Sequence, residues 1–351
     1  MSATGIVGKD GRDPQAIDPA RLAPWLAAHV PGYAGDLTVT RFAGGQSNPT
    51  FRLDTQGARY VLRRKPAGEV LPSAHAMDRE FRVLQALHGT AVPVARPLAL
   101  CTDDSVIGSM FYVMEHVEGR VFWEQGLPGL PPAERAALYD SMGETIAALH
   151  QLDFAALGLG DFGRPGNYLA RQVARWSKQY RASETESIPA MDALIEWLPA
   201  HLPAREWPAL VHGDYRLDNL IFHPTEPRVI AVLDWELSTL GDALADFAYN
   251  VMSWRISPAD FRGLAGLDLA GLGIPSEADY VAAYCRRTGR TAPIPDWDVY
   301  IVFGMFRIAA ILQGVLKRGL VGSAASAEAI ERGKGARVLA EQAWALARSL
   351  G

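Results

Sequence analysis

The chain has 351 residues, 49% of them hydrophobic and 21% charged, the balance of a soluble globular enzyme with room for two domains or one large two-lobed one. Asp and Glu number 39 against 34 Lys and Arg, a net charge of −5 that argues against nucleic acid or an anionic membrane as partner. Cys101 and Cys285 are too few and too far apart for a metal cluster or disulfide framework, so a reduced, cytoplasmic setting is expected.

Residues 1–18 mix charge, glycine and proline without an apolar stretch and are expected as a flexible arm, not a signal peptide. From 19 to 30 the spacing of Leu22, Trp25, Leu26 and His29 is helical, closed by Pro31-Gly32. Strands are expected at 37–42, 50–54 and 60–64, with Ala43-Gly44-Gly45-Gln46-Ser47-Asn48-Pro49 at the first turn. A glycine loop there could lie over a phosphate, although most Gly-Gly turns are only turns and the G-x-G-x-x-G spacing is absent. A helix over 73–88, with Ser73 as N-cap, buries Met77, Phe81, Leu84 and Leu87 and turns Glu80 toward the same face. A buried carboxylate needs a cation, which the run Arg63-Arg64-Lys65 can supply; the bland alternative is a surface Glu at the stripe's edge.

Residues 111–117 have the character of a buried strand leading into Glu118-Gly119-Arg120. Beyond it short strands give way to helical patterns at 132–152, 167–182, 190–201, 276–287, 296–317 and 324–349. The boundary between an N-lobe, 19–116, and a C-lobe, 117–351, is placed there. The apolar stretch 299–316 has the length of a membrane span, but Arg307 at its middle and Gln313 beyond make a buried helix the expected form.

The stretch richest in chemistry is Val211-His212-Gly213-Asp214-Tyr215-Arg216-Leu217-Asp218-Asn219-Leu220, answered by Val232-Leu233-Asp234-Trp235-Glu236. Asp and Asn are common turn formers and caps. Here, however, Asp214 and Asn219 precede two short strand-like runs, 220–222 and 229–233, joined by the turn 223–228, and Asp234 follows them. A hairpin of that length brings its outer ends together, so the three side chains can converge. Two carboxylates and an amide oxygen are hard ligands that suit Mg²⁺ on substrate phosphates, the setting of phosphoryl transfer. His-x-Asp with Asn five residues past the Asp also matches the spacing of the kinase catalytic loop, and Asp234 takes the place of the D-F-G Asp.

On these residues the chain resembles the aminoglycoside phosphotransferase/choline kinase-like family, over roughly residues 22–345. The resemblance implies a protein-kinase-like α+β fold, a small β-rich N-lobe and a larger, mostly helical C-lobe. It also implies ATP and Mg²⁺ as cofactors and a small-molecule hydroxyl as acceptor. Carried over residue by residue, it makes Asp214 the catalytic base supported by His212, and Asn219 and Asp234 the metal ligands. Asp242 and Asp246, in Gly241-Asp242-Ala243-Leu244-Ala245-Asp246, become the buttress of the catalytic loop. Gly44, Gly45, Gln46, Ser47 and Asn48 become the nucleotide loop, Glu115, His116 and Val117 the segment beside the adenine, and Glu80 the helix carboxylate. There is one departure: where kinases carry V-A-I-K, this strand has Tyr60-Val61-Leu62-Arg63. A permanently charged planar fork can still hold a phosphate and Glu80, and the register leaves either Arg63 or Arg64 in that place.

The segments Tyr60-Val61-Leu62-Arg63-Arg64-Lys65-Pro66, Leu71-Pro72-Ser73-Ala74-His75 and 232–242 are similar to the kinase modules associated with acyl-CoA dehydrogenases. That likeness implies a hydroxyacyl-CoA acceptor, such as a 4-hydroxyacyl-CoA whose hydroxyl is prepared as a leaving group, and a functional link to an acyl-CoA dehydrogenase. Arg171, Arg175 and Lys178, spaced i, i+4, i+7 on one helix face, could take the phosphates of coenzyme A; the bland alternative is a solvated basic face. Glu184 and Glu186 are the nearby carboxylates, few for a polycationic antibiotic. Aminoglycosides, amino-alcohols and sugars are the other acceptor classes, and a catalytically silent nucleotide-binding regulatory module is the alternative of another kind.

Overall fold

The computed structural model describes residues 16–42, 48–66, 76–164, 166–320 and 327–351. It divides into two compact units, Met1–Gly119 with Ile230–Glu236, and Arg120–Val229 with Leu237–Gly351. The sequence alone puts 230–236 with the later part of the chain. Its contacts lie with the first: the Val232 amide donates to the Pro93 carbonyl at 2.8 Å, and Asp234 and Glu236 join the side-chain network described below.

In the smaller unit, helix α1 (Pro19–His29) is capped by the Asp18 carboxylate, which accepts from the Ala20 amide, and it buries Leu22 and Leu26. Strands β1 (Thr38–Arg41), β2 (Thr50–Asp54) and β3 (Arg59–Arg64) form an antiparallel meander. Helix α2 (Met77–Leu87) and strands β4 (Pro97–Cys101) and β5 (Phe111–Glu115) complete the unit. The five strands run in the order β1-β2-β3-β5-β4. Leu22 and Leu26 pack with Phe51, Leu53, Tyr60, Leu62, Phe111 and Val113 in one apolar cluster on a face of that sheet. Strand β4 is an addition to what the sequence shows, because Pro97-Leu98-Ala99-Leu100-Cys101 has no apolar alternation to announce it. Helix α2 starts later than expected, at Met77 after Ala76, which makes no side-chain cap; Ser73, the expected cap, lies outside the described residues.

The larger unit begins with α3 (Pro132–Gln151), α4 (Tyr168–Ser183) and α5 (Pro189–His201), then β6 (Pro208–Val211) and β7 (Leu220–Phe222). The turn after β7 is closed by the His223 amide donating to the Arg228 carbonyl at 2.9 Å, and β8 (Val229–Val232) follows. The chain goes on through β9 (Thr239–Asp242), α6 (Ala243–Val251), a short α7 (Leu269–Leu272), α8 (Glu277–Thr288), α9 (Trp297–Leu320) and α10 (Ala327–Leu350). Strand β6 pairs antiparallel with β9, Val211 opposite Thr239. That pairing fixes the end of β6 from which the His212–Asn219 loop leaves. The apolar stretch around Arg307 is α9, with 89% of its most apolar window buried, so it is a core helix.

Candidate active site

In the smaller unit the alternation of β3 decides between its two arginines. Tyr60 and Leu62 face the apolar cluster, and Arg64, two residues further, shares their side of the strand. It is 3% exposed, and its Nε donates to Ser109 Oγ at 3.0 Å. Arg63 takes the opposite face, next to Tyr112 of β5 in the sheet register. Its Nε lies 3.1 Å from Glu80 Oε2 and its Nη2 donates to Asp234 Oδ1 at 2.9 Å. Of the two, it is therefore Arg63 that pairs with Glu80.

Glu80, 1% exposed on the inner face of α2, also accepts from Tyr112 Oη at 2.9 Å and from Asn48 Nδ2 at 2.9 Å. Asn48 Nδ2 reaches Glu236 Oε2 as well, at 3.0 Å. Burial pushes the Glu80 carboxyl above its ordinary value, against the pull of Arg63 and with Asp234 adding to the rise. Asp234 has a left-handed backbone, φ 65°, unusual for a residue with a Cβ and a form of strain that collects at functional positions. Its side chain stays 35% exposed with Oδ1 on Arg63.

Of the other residues expected around the nucleotide, Gly44, Gly45, Gln46 and Ser47 lie outside the described residues. Glu115 ends β5, and its Oε1 accepts from the Arg96 amide at 3.0 Å. The His116 amide donates to the Arg59 carbonyl at 3.3 Å, and Val117 follows in an irregular connection.

The larger unit carries the His212–Asn219 loop, which leaves β6 and closes with a single 3₁₀ turn, Leu217–Asn219. Gly213 has φ 83°, and a Cβ there would come within 2.7 Å of the Leu237 carbonyl oxygen, so the position requires glycine. The loop is held by its backbone. Asp246 of α6 accepts the His212 amide on Oδ2 and the Gly213 amide on Oδ1, both at 2.8 Å, while His150 Nε2 lies 3.2 Å from its Oδ2. Arg307 Nη2 donates to the Gly213 carbonyl, and the Asp214 amide donates to His212 Nδ1 at 3.1 Å. Asp242 acts one step further back: it caps α6 through the Leu244 and Ala245 amides and accepts from the Trp207 amide at 2.9 Å. Of the two expected buttresses, Asp246 touches the loop and Asp242 braces the helix that carries it.

Asp214 itself is surrounded by donors. Oδ1 is 2.9 Å from Arg216 Nε and accepts from Tyr249 Oη at 2.9 Å. Oδ2 accepts from Arg216 Nη2 at 2.9 Å and Asn219 Nδ2 at 3.0 Å. Burial works to raise its pKa, but Arg216, with His212 and Arg307 behind it, takes the carboxyl below its ordinary value. Asn219 Nδ2 also donates to the Asp214 carbonyl at 2.8 Å. With its nitrogen so engaged, its amide oxygen is the atom left to accept or ligate, as a Mg²⁺ site requires. Arg262 Nη1 binds Asp218 on the same loop.

The sequence did not single out Arg216, Tyr249, Tyr112 or Glu236. Arg216 and Glu236 stand inside the quoted motifs and carried a signal in their charge alone; Tyr249 and Tyr112 carried none. In the sequence Arg307 stands out as the cation that spoils a membrane span, and a lone guanidinium in an apolar helix already demands a partner. The expected basic row on α4 is uneven. Arg171 spends its guanidinium on the Gly166 and Arg164 carbonyls, whereas Arg175 lies against Trp176, its Cζ 5.3 Å from the ring centroid, and Lys178 is exposed.

A family model described as "Phosphotransferase enzyme family" matches residues 38–298. The crystal structure of a protein from Ralstonia eutropha, provisionally named an aminoglycoside phosphotransferase, is 57% identical, with a TM-score of 0.86 and coverage of 95% of this chain and 99% of that one. A thermostable mutant of aminoglycoside phosphotransferase APH(4)-Ia, in ternary complex with AMP-PNP and hygromycin B, shares the fold at 18% identity and a TM-score of 0.60, over 93% of this chain and 98% of that one. Mouse acyl-CoA dehydrogenase family member 10 is 49% identical over 320 residues, 90% of this chain and 30% of that protein. Rat acyl-CoA dehydrogenase family member 11 is 45% identical over 340 residues, 95% of this chain and 43% of that protein. The chain thus spans less than half the length of these two relatives, and the α+β kinase-like fold expected from the sequence is the one its structural neighbours share.

Proposed function

The chain belongs to the phosphotransferase enzyme family, and we propose that it moves a phosphoryl group from ATP, with Mg²⁺, to the hydroxyl of a hydroxyacyl-CoA, such as a 4-hydroxyacyl-CoA. The observation that carries this reading is the charge around Asp214. Arg216 lies on both its oxygens, Arg307 holds the neighbouring carbonyl, and Arg262 sits on Asp218 of the same loop. Arg216 and Arg262 are paired with Asp214 and Asp218, so the charge left over is that of Arg307, which disfavours a polycationic aminoglycoside and attracts an acceptor bearing phosphates or a carboxylate. The names of the two curated relatives lend the CoA thioester further support and suggest a functional link to an acyl-CoA dehydrogenase.

In this reading Asp214 orients the acceptor hydroxyl and takes its proton as the oxygen bonds to the γ-phosphorus and the bond to ADP breaks. A carboxylate with a lowered pKa is ionised at neutral pH and suits a reaction that depends on positioning more than on strong basicity. Asn219, Tyr249 and Arg216 hold it in place. Arg63, kept in position by Glu80, reaches the nucleotide phosphates. Asn219 of the larger unit offers an amide oxygen and Asp234 of the smaller one a carboxylate, each a hard ligand that suits Mg²⁺, which offsets phosphate charge when bound.

The test is a panel of hydroxyacyl-CoAs, the free hydroxy acids, choline and kanamycin, each incubated with MgATP and analysed for phosphorylated product by mass spectrometry. Product from the CoA thioesters is expected. Product confined to kanamycin overturns the acceptor assignment, and Mg²⁺-dependent nucleotide binding with no product from any class would instead indicate a silent regulatory module.

A further inference from the structure

We propose that Arg307 and Arg175, which both reach the Trp176 ring close to the catalytic loop, form a subsite for a phosphate or carboxylate group of the acceptor. Arg307 is 5% exposed in the middle of α9. A guanidinium buried that deeply ordinarily has a carboxylate partner, since desolvation costs it heavily. Among the described residues it has none. Its Nη2 donates to the Gly213 carbonyl, its Nε is buried without a hydrogen-bond partner, and its Cζ lies 4.8 Å from the Tyr249 ring centroid and 5.3 Å from that of Trp176. Cation–π contact offsets only part of the cost.

Arg175 approaches the same indole from α4, its Cζ also 5.3 Å from the ring centroid. It is exposed and likewise has no carboxylate partner among the described residues. Desolvation of its guanidinium, and then the charge of Arg307, press its pKa below the ordinary value. Two cations against one ring with no acid between them repel, and an anion placed there relieves the repulsion. Several other basic groups of this region are already satisfied. Arg171 is on two backbone carbonyls, Arg181 on Glu184 and Asp192, and Arg337 on Glu186. The subsite is also joined to the base: Tyr249, which Arg307 stacks on, donates its hydroxyl to Asp214 Oδ1 at 2.9 Å.

This inference rests on the reading of the acceptor as a CoA thioester, and the experiment separates the two. Coenzyme A, the 4-hydroxyacyl pantetheine thioester and the free 4-hydroxy acid are titrated calorimetrically into the wild-type protein, Arg175→Glu and Arg175→Lys. Turnover of the 4-hydroxyacyl-CoA and the melting temperature are measured in parallel. Arg175 is exposed, so both variants are expected to melt with the wild type. Charge reversal is expected to weaken coenzyme A binding about tenfold or more, and Arg175→Lys by no more than about threefold, with the pantetheine thioester indifferent to either. Weakening confined to the free acid assigns the subsite to a carboxylate in place of a phosphate. If Arg175→Glu binds both anionic ligands as the wild type does, the subsite is refuted even where turnover is found. If binding falls but no hydroxyacyl-CoA is phosphorylated, the subsite stands and the acceptor reading falls. A wild-type protein that binds none of the three ligands overturns both.

Discussion

In the smaller unit three carboxylates, Glu80, Asp234 and Glu236, gather at Arg63 and Asn48, whereas in the larger unit Asp214 faces Arg216 with Arg307 behind it. Like groups therefore titrate in opposite directions. Burial takes the Glu80 carboxyl up with Asp234 adding to it, while the guanidinium groups take Asp214 down. Asp234 offers the first network a part-exposed carboxylate that suits a divalent cation, whereas the second holds Arg307 without a carboxylate partner among the described residues. On the proposed reading, metal-bound nucleotide and acceptor answer opposite charge in the two networks.

The largest effect should come from Asp214→Asn, which keeps the shape and removes the proton acceptor. Turnover is expected to fall on the order of 10²–10⁴-fold with MgATP affinity close to wild type, by steady-state kinetics and nucleotide titration. A variant that keeps full turnover would show that the cationic surroundings of Asp214 serve the fold alone.

Stability separates the units next. Asp246 answers two backbone amides of the loop, so Asp246→Asn should cost about 2–4 kcal/mol in urea unfolding, because a single amide oxygen replaces two charged acceptors. Glu80→Gln should cost no more than about 1 kcal/mol, since burial already penalises the ionised form that the substitution removes. The sign of the pH dependence follows. For Asp246, burial works to raise the pKa, but the hydrogen bond and charge of His150, with His212, take it below the ordinary value. Its stabilisation, like that of Asp214, is full above the unfolded value, about 3.9, and is lost as pH falls through the lower folded value. Glu80 acts in reverse: relative to the unfolded chain its contribution is best at low pH and declines as pH rises through its raised folded value. Asp246→Asn should therefore flatten the acid limb of the stability profile, and Glu80→Gln should leave that limb in place. At the metal side, Asp234→Asn should raise the Mg²⁺ concentration for half-maximal turnover about tenfold, read from a Mg²⁺ titration at saturating ATP.

Much of the architecture follows from periodicity. The strand 50–54 has the expected bounds, and the six helices expected in the larger unit fall within a few residues of their apolar patterns, whereas α6 and the short α7 are additions. What periodicity cannot supply is a short strand with no alternation, as in β4, or a pairing across many residues. Arg307 and Gly213 are 94 positions apart, and nothing local ties one to the other. The catalytic loop is readable because its residues are close in sequence. The side chains that hold its base, Tyr249 among them, arrive from helices that tertiary packing alone brings near. Asp246 could be named in advance through its motif, but its exact duty, accepting the His212 and Gly213 amides, needed coordinates.

The smallest expected effect tests the smaller unit at its finest point, the choice between adjacent arginines. Arg64 is 3% exposed, yet burial lowers its pKa and its hydrogen bonds are to neutral groups: its Nε meets Ser109 Oγ at 3.0 Å and the Lys65 carbonyl at 3.4 Å. Ser109 still donates to the Lys65 carbonyl at 2.9 Å when Arg64 is removed. Arg64→Met should thus keep the KM for ATP within about twofold and cost about 1 kcal/mol, the net worth of a neutral hydrogen bond. Arg63→Met strands Glu80 and Asp234 without their cation, and about a tenfold rise in KM is expected of it. Equal effects of the two substitutions would mean that the charge of the strand as a whole, and not its alternation, serves the nucleotide.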